Sequence, residues 1–349
     1  SGVCYRDLLE LEEGGRGGKL RICTGKTREE QALAILRCLA AHDVAVPVSP
    51  EYGEKQAQKV KRQLEGAEGD FEDLAFVMFT SGTTGEPKGV MLTDENVIAN
   101  LEGIASYFRL EGTARMCIAR PLSHIAVITG ELLYTLCCGL TLHFYEEAFM
   151  PRRLLSFLRE RQAEVLCGTP TLFLVLAAEK GDWPVRISAL SGEILTAGAA
   201  KKLAERFPGT AFYHVYGLTE HSPRALALPP EEFAGRPGSV GRPMPGVEAE
   251  ICEGELVLRS PCVMKGYFQN EAATREKIRE GRLFTGDAAH VDKEGYFYID
   301  GRRDSMMIRA GLNIYPEEIE GAARECPGVV DGTAYAEREE TRTRICLDY

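Results

Sequence analysis

Basic residues are in deficit in this chain: 41 Lys and Arg stand against 52 Asp and Glu, a formal net charge of -11. That balance argues against binding nucleic acid or anionic membrane through the overall field, so any nucleotide must be recruited by a local site. Long apolar runs are missing too. No stretch approaches the roughly 20 residues needed to span a bilayer, and the first residues lack the charged-then-apolar order of a secretory signal. A cytoplasmic protein without a membrane span is expected. The 11 cysteines include no CxxC pair, and Cys137 and Cys138 are adjacent. This speaks against a zinc site or disulfide framework and for reduced thiols, mostly buried. Internal repeats and low-complexity tracts are likewise absent. What is present is 349 residues of ordinary globular composition, 44% apolar, enough for a large core and about two domains.

The most informative stretch is residues 80–89, TSGTTGEPKG. It follows an apolar run at 75–79 and precedes a helix-like segment at 94–108, so the reading places it where a strand turns toward a helix. Gly82, Gly85 and Gly89 let backbone approach a ligand, Thr80, Ser81, Thr83 and Thr84 supply donors, and Lys88 supplies a charge. Only a polyanion needs all three. By composition alone the stretch reads equally well as a flexible surface loop. A Walker loop is excluded, because Lys88 lies between Pro87 and Gly89 where that motif needs Gly before the lysine and Ser or Thr after it.

Before this loop, residues 14–18 form a glycine-rich connector, and Thr27 with Glu30 predicts a capping box for a helix whose apolar face includes Leu33, Leu36 and Leu39. A short strand at 44–48 and a charged helix at 55–69 follow. After the loop, strand-like segments at 114–119, 140–145, 165–167, 187–190 and 211–216 alternate with helical ones. The alternation predicts an α/β fold of helix-covered, largely parallel sheets, with ligands at strand carboxyl ends. From about residue 235 hairpins dominate, with turns at 253–254 and 293–295, which predicts a β-rich subdomain over 235–303.

Five further stretches carry chemistry. Tyr216, Gly217, Leu218, Thr219 and Glu220 (YGLTE) offer a ring for a purine, a donor for a phosphate and a carboxylate for a phosphate-bridging Mg2+. Read alone, a capping Thr and a surface Glu explain them as well. Thr285, Gly286 and Asp287 (TGD) and Gly301 to Asp304 (GRRD) bring a carboxylate that suits a diol, because it only accepts hydrogen bonds, and an arginine, Arg302. Pro121 to His124 (PLSH) and Ser191 to Ile194 (SGEI) complete the set.

Together TSGTTGEPKG, YGLTE, TGD and GRRD resemble the motifs of the adenylate-forming superfamily, which includes acyl- and aryl-CoA synthetases, peptide-synthetase adenylation domains and luciferase. The resemblance runs from about residue 31 to the end. It implies a large N-terminal domain over 1–303 and a hinge with a shortened α+β C-terminal domain over 304–349. It also implies attack of a carboxylate on ATP, giving acyl-AMP and pyrophosphate, then transfer to the thiol of coenzyme A or of a carrier protein's phosphopantetheine. By the same resemblance the nucleotide site comprises Thr80, Ser81, Gly82, Thr83, Thr84, Gly85, Lys88, Gly192, Glu193, Tyr216, Gly217, Thr219, Asp287 and Arg302. Glu220 holds Mg2+, Lys88, Thr219, Glu220 and His124 act in catalysis, and Asp304 is the hinge. Apolar walls for the acyl group are expected from residues 168–173 and Val215.

The acyl side is ambiguous. No aspartate occurs between Pro121 and Leu136 to hold a substrate amine, which favours a carboxylic acid, whereas Gly192-Glu193 resembles amino-acid-activating branches. The family also carries a late lysine, and no lysine follows Lys293 here. Three readings compete: a piece of a longer enzyme, a short member whose lysine comes from another chain or is dispensed with, and a nucleotide-binding protein without turnover. The retained phosphate and ribose motifs favour a short but genuine member, with acyl-AMP formation slower than in full-length relatives.

Overall fold

The structure, a computed structural model, describes residues 17–49, 54–67, 71–80, 87–110, 114–305, 307–309, 312–324, 326, 328–329, 332–338 and 343–349. The chain is α/β and divides into two compact units. The first takes in the chain up to Ala148 together with Leu218–Arg224 and Pro261–Ile278; the second comprises Phe149–Gly217, Ala225–Ser260 and Arg279–Tyr349.

The first unit is built on a five-stranded sheet in the order Leu20–Cys23, Val44–Pro47, Leu74–Thr80, Lys88–Thr93, Gly266–Tyr267. The first three strands run parallel. The last three are antiparallel neighbours. Leu74–Thr80 is central, and six of its seven residues are buried because both faces are covered. Val77 and Phe79 join Val44, Val46, Val60 and Phe268 in one apolar cluster, so helix Glu54–Leu64 is anchored through Val60. Beside this sheet the unit carries a parallel pair, Arg115–Ile118 with Thr141–Phe144.

Helix starts follow the sequence closely. Thr27 accepts from the Glu30 amide, but the Glu30 carboxylate accepts from Lys26 rather than from the cap itself, so only half of the expected box forms. The full box appears at Thr93 and Asn96. In helix Arg28–Ala40 the buried residues are Gln31, Ala32, Ile35 and Cys38. The predicted face of Leu33, Leu36 and Leu39 is only half-buried; the buried face is rotated toward Gln31, which donates to the carbonyls of Cys23 and Val48.

In the second unit five strands run in the order Arg242–Pro243, Arg224–Leu228, Ala211–Gly217, Ile187–Leu190, Val165–Leu166. The last three are parallel. Helices Pro170–Ala177 and Ala197–Arg206 begin at Thr169 and Thr196, whose hydroxyls accept from the amides three residues on. Aromatic packing backs this layer. Trp183 stacks on Phe207 with centroids 4.1 Å apart, Phe173 meets Phe212 edge-on, and Phe212 stacks on Phe233. The hairpin-rich part is also as read. Glu248–Cys252 pairs with Glu255–Arg259, which pairs with Arg282–Val291, which pairs with Phe297–Arg302, all antiparallel.

Beyond residue 304 come a hairpin of Met307–Arg309 and Leu312–Ile314, helix Pro316–Arg324, and a hairpin of Thr333–Arg338 and Thr343–Asp348. Among the described residues ten cysteines are free thiols. Five are buried, whereas Cys137 and Cys326 are exposed, so burial is less general than the composition suggested. Among those residues no helix is long and apolar enough to cross a membrane.

Candidate functional site

The glycine-rich stretch does not join a strand to a helix. Leu74–Thr80 and Lys88–Thr93 form an antiparallel hairpin with Thr80 opposite Lys88, and the helix starts only at Asp94. The short run Lys88–Thr93 is itself strand-forming, and a connection of this length lets the chain reverse on itself. At the neck of the hairpin the Thr80 hydroxyl donates to the Lys88 carbonyl at 3.4 Å. Ser81, Gly82, Thr83, Thr84 and Gly85 lie outside the described residues.

Lys88 is therefore a strand residue with a fixed base. Its ammonium lies 5.4 Å from the centroid of the Tyr267 ring, a cation–π separation. The Tyr267 hydroxyl donates to Glu220 Oε1 at 2.7 Å. Lys88, Tyr267 and Glu220 thus form one group in the first unit. Thr219 and Glu220 sit in a single 3-10 turn, Thr219–His221. His124 is exposed at the head of a helical run, where its carbonyl accepts from Val127 and Ile128.

The second unit holds a cavity of about 260 Å³ whose lining includes Gly192, Glu193, His214, Val215, Tyr216, Gly217, Asp287 and Arg302. Here the structure brings together six of the residues expected in the nucleotide site: Gly192, Glu193, Tyr216, Gly217, Asp287 and Arg302. Asp287 and Arg302 face each other across adjacent antiparallel strands. Arg302 Nη1 donates to Asp287 Oδ1 at 3.0 Å and to the Thr285 carbonyl at 3.2 Å. The Tyr216 hydroxyl donates to Asp287 Oδ2 at 2.5 Å. Both carboxylate oxygens are thus held, and a carboxylate only accepts hydrogen bonds, which suits the hydroxyls of a diol.

The electrostatics hold this arrangement. Burial, then the charge of Asp287, pushes the Tyr216 phenol well above its usual range, so it remains an O–H donor. Burial alone would lower the Arg302 guanidinium; the hydrogen bonds and charges of Asp304 and Asp287 outweigh it and hold the group above its usual range. Asp304 accepts from Arg302 at 3.3 and 3.4 Å. The turn before Asp287 is tied by Glu255, which accepts from the Gly286 amide and from Arg303, both at 2.7 Å.

Glu193, on the cavity wall, also caps a helix: its Oε2 accepts from the Thr171 amide at 3.0 Å, meeting an otherwise open donor in the first turn of helix Pro170–Ala177. Val215 also lines this cavity, and Phe173 is fully buried in the aromatic core. Sequence reading missed His214 and Tyr267 as site residues. His214 lies two residues before Tyr216 on one strand, hence on the same face, a signal available from spacing. Tyr267 carries no comparable local signal, since its role depends on a partner 47 residues away.

Among the described residues no group of three or more His, Cys, Asp or Glu could hold a metal ion. A single carboxylate such as Glu220 suits an ion that takes its other ligands from phosphate oxygens and water, as Mg2+ does.

Residues 25–268 match a family model described as AMP-binding enzyme. The chain is 34% identical over 274 residues to a feruloyl-CoA synthase of an Amycolatopsis species, covering 74% of this chain and 55% of that one. It is 33% identical over 274 residues to a long-chain-fatty-acid–CoA ligase of Bacillus subtilis strain 168, covering 72% and 48%. The chain spans about half the length of these curated relatives. Among solved structures, unliganded O-succinylbenzoate coenzyme A synthetase (MenE) from Bacillus subtilis matches with a TM-score of 0.82 at 22% identity, covering 99% of this chain and 87% of that one. ATP-bound MatB from Rhodopseudomonas palustris matches with a TM-score of 0.81 at 24% identity, covering 95% and 78%. At these identities the two structures speak for the fold.

Proposed function

We propose, from the premise that this chain belongs to the AMP-binding enzyme family, that it activates a carboxylic acid with ATP, releasing pyrophosphate and forming an acyl-AMP that a thiol then captures. The observation that carries the reading is the Tyr216–Asp287–Arg302 group on the wall of a 260 Å³ cavity. It is a fixed carboxylate beside a ring of the right size for a base. Coenzyme A is the favoured acceptor, because relatives of about one-third identity are named as CoA synthases and ligases. A carrier protein's phosphopantetheine remains the second choice. The acid is a fatty or aromatic carboxylic acid rather than an amino acid.

The residues divide the work. Asp287 accepts from the ribose hydroxyls, Arg302 holds Asp287 in place, and Tyr216 offers its ring to the adenine. Lys88 and Thr219 meet phosphate oxygens, and Glu220 with phosphate oxygens holds Mg2+. When bound, Mg2+ supplies positive charge beside the reacting phosphates. Little proton transfer is needed to join a carboxylate to a phosphate, so this chain contributes positioning and fixed positive charge. His124 is assigned to the acyl side and Asp304 to the hinge of the small C-terminal domain.

Pyrophosphate release with MgATP across fatty, aromatic and amino acids, with and without coenzyme A, tests the reaction. Release that depends on one class of acid is expected. ATP binding without acid-dependent release would instead favour a nucleotide-binding protein, or one that needs another chain to supply a lysine. Asp287→Asn removes charge-assisted hydrogen bonds worth about 1.5–3 kcal/mol, so ATP affinity should fall by roughly 10- to 100-fold. Unchanged affinity would remove Asp287 from the site.

A further inference from the structure

The segment 262–268 runs between the two stretches that carry Lys88 and Glu220, and it grips both. On one side its backbone extends the hairpin sheet. Tyr267 pairs with Val90, the Lys265 amide donates to the Met91 carbonyl at 2.9 Å, and the Phe268 amide donates to the Gly89 carbonyl at 2.7 Å. On the other side the Met264 amide donates to the Glu220 carbonyl at 2.9 Å, and the Ser222 hydroxyl donates to the Cys262 carbonyl at 2.8 Å. Gly89 permits the closeness: a Cβ there would lie 2.9 Å from Val77 Cγ1 and 3.1 Å from Phe268 Cβ.

Tyr267 finishes this brace with its side chain. The ring is buried, its amide is fixed by the Thr274 hydroxyl at 2.8 Å, its face meets the Lys88 ammonium, and its hydroxyl meets Glu220 Oε1. One rigid side chain therefore contacts the cation and the carboxylate that the proposed reaction uses together. We propose that Tyr267 is a positioning residue that sets the direction of the Glu220 carboxylate toward the metal and of the Lys88 ammonium toward phosphate; this rests on the function proposed above. With one oxygen held by the phenol, Glu220 presents the other to a metal from a single rotamer, so less freedom is lost on binding.

The test measures ATP binding calorimetrically, with EDTA and with excess Mg2+, for wild type, Tyr267→Phe, Glu220→Gln and the double variant. Tyr267→Phe keeps the ring and loses only the hydroxyl. It should leave metal-free ATP affinity unchanged and reduce the Mg2+-dependent gain by about five- to tenfold, the size of one ordinary hydrogen bond. In the Glu220→Gln background the same change should add no further loss. Equal losses in both backgrounds, or no loss in either, would overturn the proposal. Tyr267→Leu, which also removes the ring, should weaken metal-free ATP binding as well; no effect there would overturn the Lys88 half. A wild-type chain that binds no ATP would instead overturn the functional reading on which the proposal stands.

Discussion

Replacing Glu131 with alanine is expected to lower folding stability by about 3–5 kcal/mol, the usual cost of stranding the partner of a buried charge. Glu131 is fully buried within the π-helical run Ile128–Leu133. Its Oε1 accepts from Arg120 Nη2 at 2.5 Å and from Arg120 Nε at 3.2 Å. Arg224, itself only 3% exposed, lies close enough to act on Glu131 through its charge, while its own Nη1 donates to the Tyr107 hydroxyl at 2.7 Å and its guanidinium faces the Phe108 ring. Burial pushes the Glu131 carboxyl above the usual carboxylate range, and the two arginines pull it back. Alanine would leave the partly buried Arg120 guanidinium and the buried Arg224 guanidinium without this counter-charge. The double replacement Arg120→Leu with Glu131→Leu should lose less than the alanine variant, because it removes the desolvation of both members of the pair. Urea unfolding of the three chains decides the matter, and a single-variant loss under about 1 kcal/mol would show that the pair is not tightly held.

A second large effect is expected from acid. His214 and His221 are buried, and burial lowers each from 6.5 to about 4, partly offset by carbonyl acceptors at Ser239 and Arg224. Both are therefore neutral in the folded chain at pH 6, where the unfolded chain binds protons. The unfolded state holds more protons throughout the window between 6.5 and about 4, so the stability present above pH 6.5 falls as the pH drops through it. By pH 5 each histidine should have removed about 2 kcal/mol. His221 lies in the first unit and His214 in the second, so both units are affected. Glu131 and Asp94, raised by burial, act in the opposite sense, since the folded state takes up their protons first. They work against the loss. Urea midpoints measured from pH 7.5 to 5 should fall steadily; a flat profile would mean that neither histidine is buried neutral.

Much of the site was legible because it is written in short, contiguous runs. The YGLTE, TGD and GRRD runs each lie within a few residues of the chain, and Thr27 announces the helix that follows it. Local chemistry of that kind is fixed by bonds within a few residues. The alternation of strands and helices, and the change to hairpins after residue 235, followed from hydrophobic patterning in the same way.

What the sequence by itself determined is the α/β class and most of the order of its elements, and it singled out Lys88, Tyr216, Glu220, Asp287 and Arg302 as candidate site residues. Only the tertiary structure decided how they are held. It paired the strands on either side of the glycine-rich stretch, set Glu193 against the first turn of helix Pro170–Ala177, seated Glu131 against Arg120 and near Arg224, and put Tyr267 on Glu220. Each of these depends on which distant segment packs opposite. The physical reason is that a buried polar group must find a partner wherever the fold supplies one, and that partner is set by strand pairing rather than by neighbouring residues.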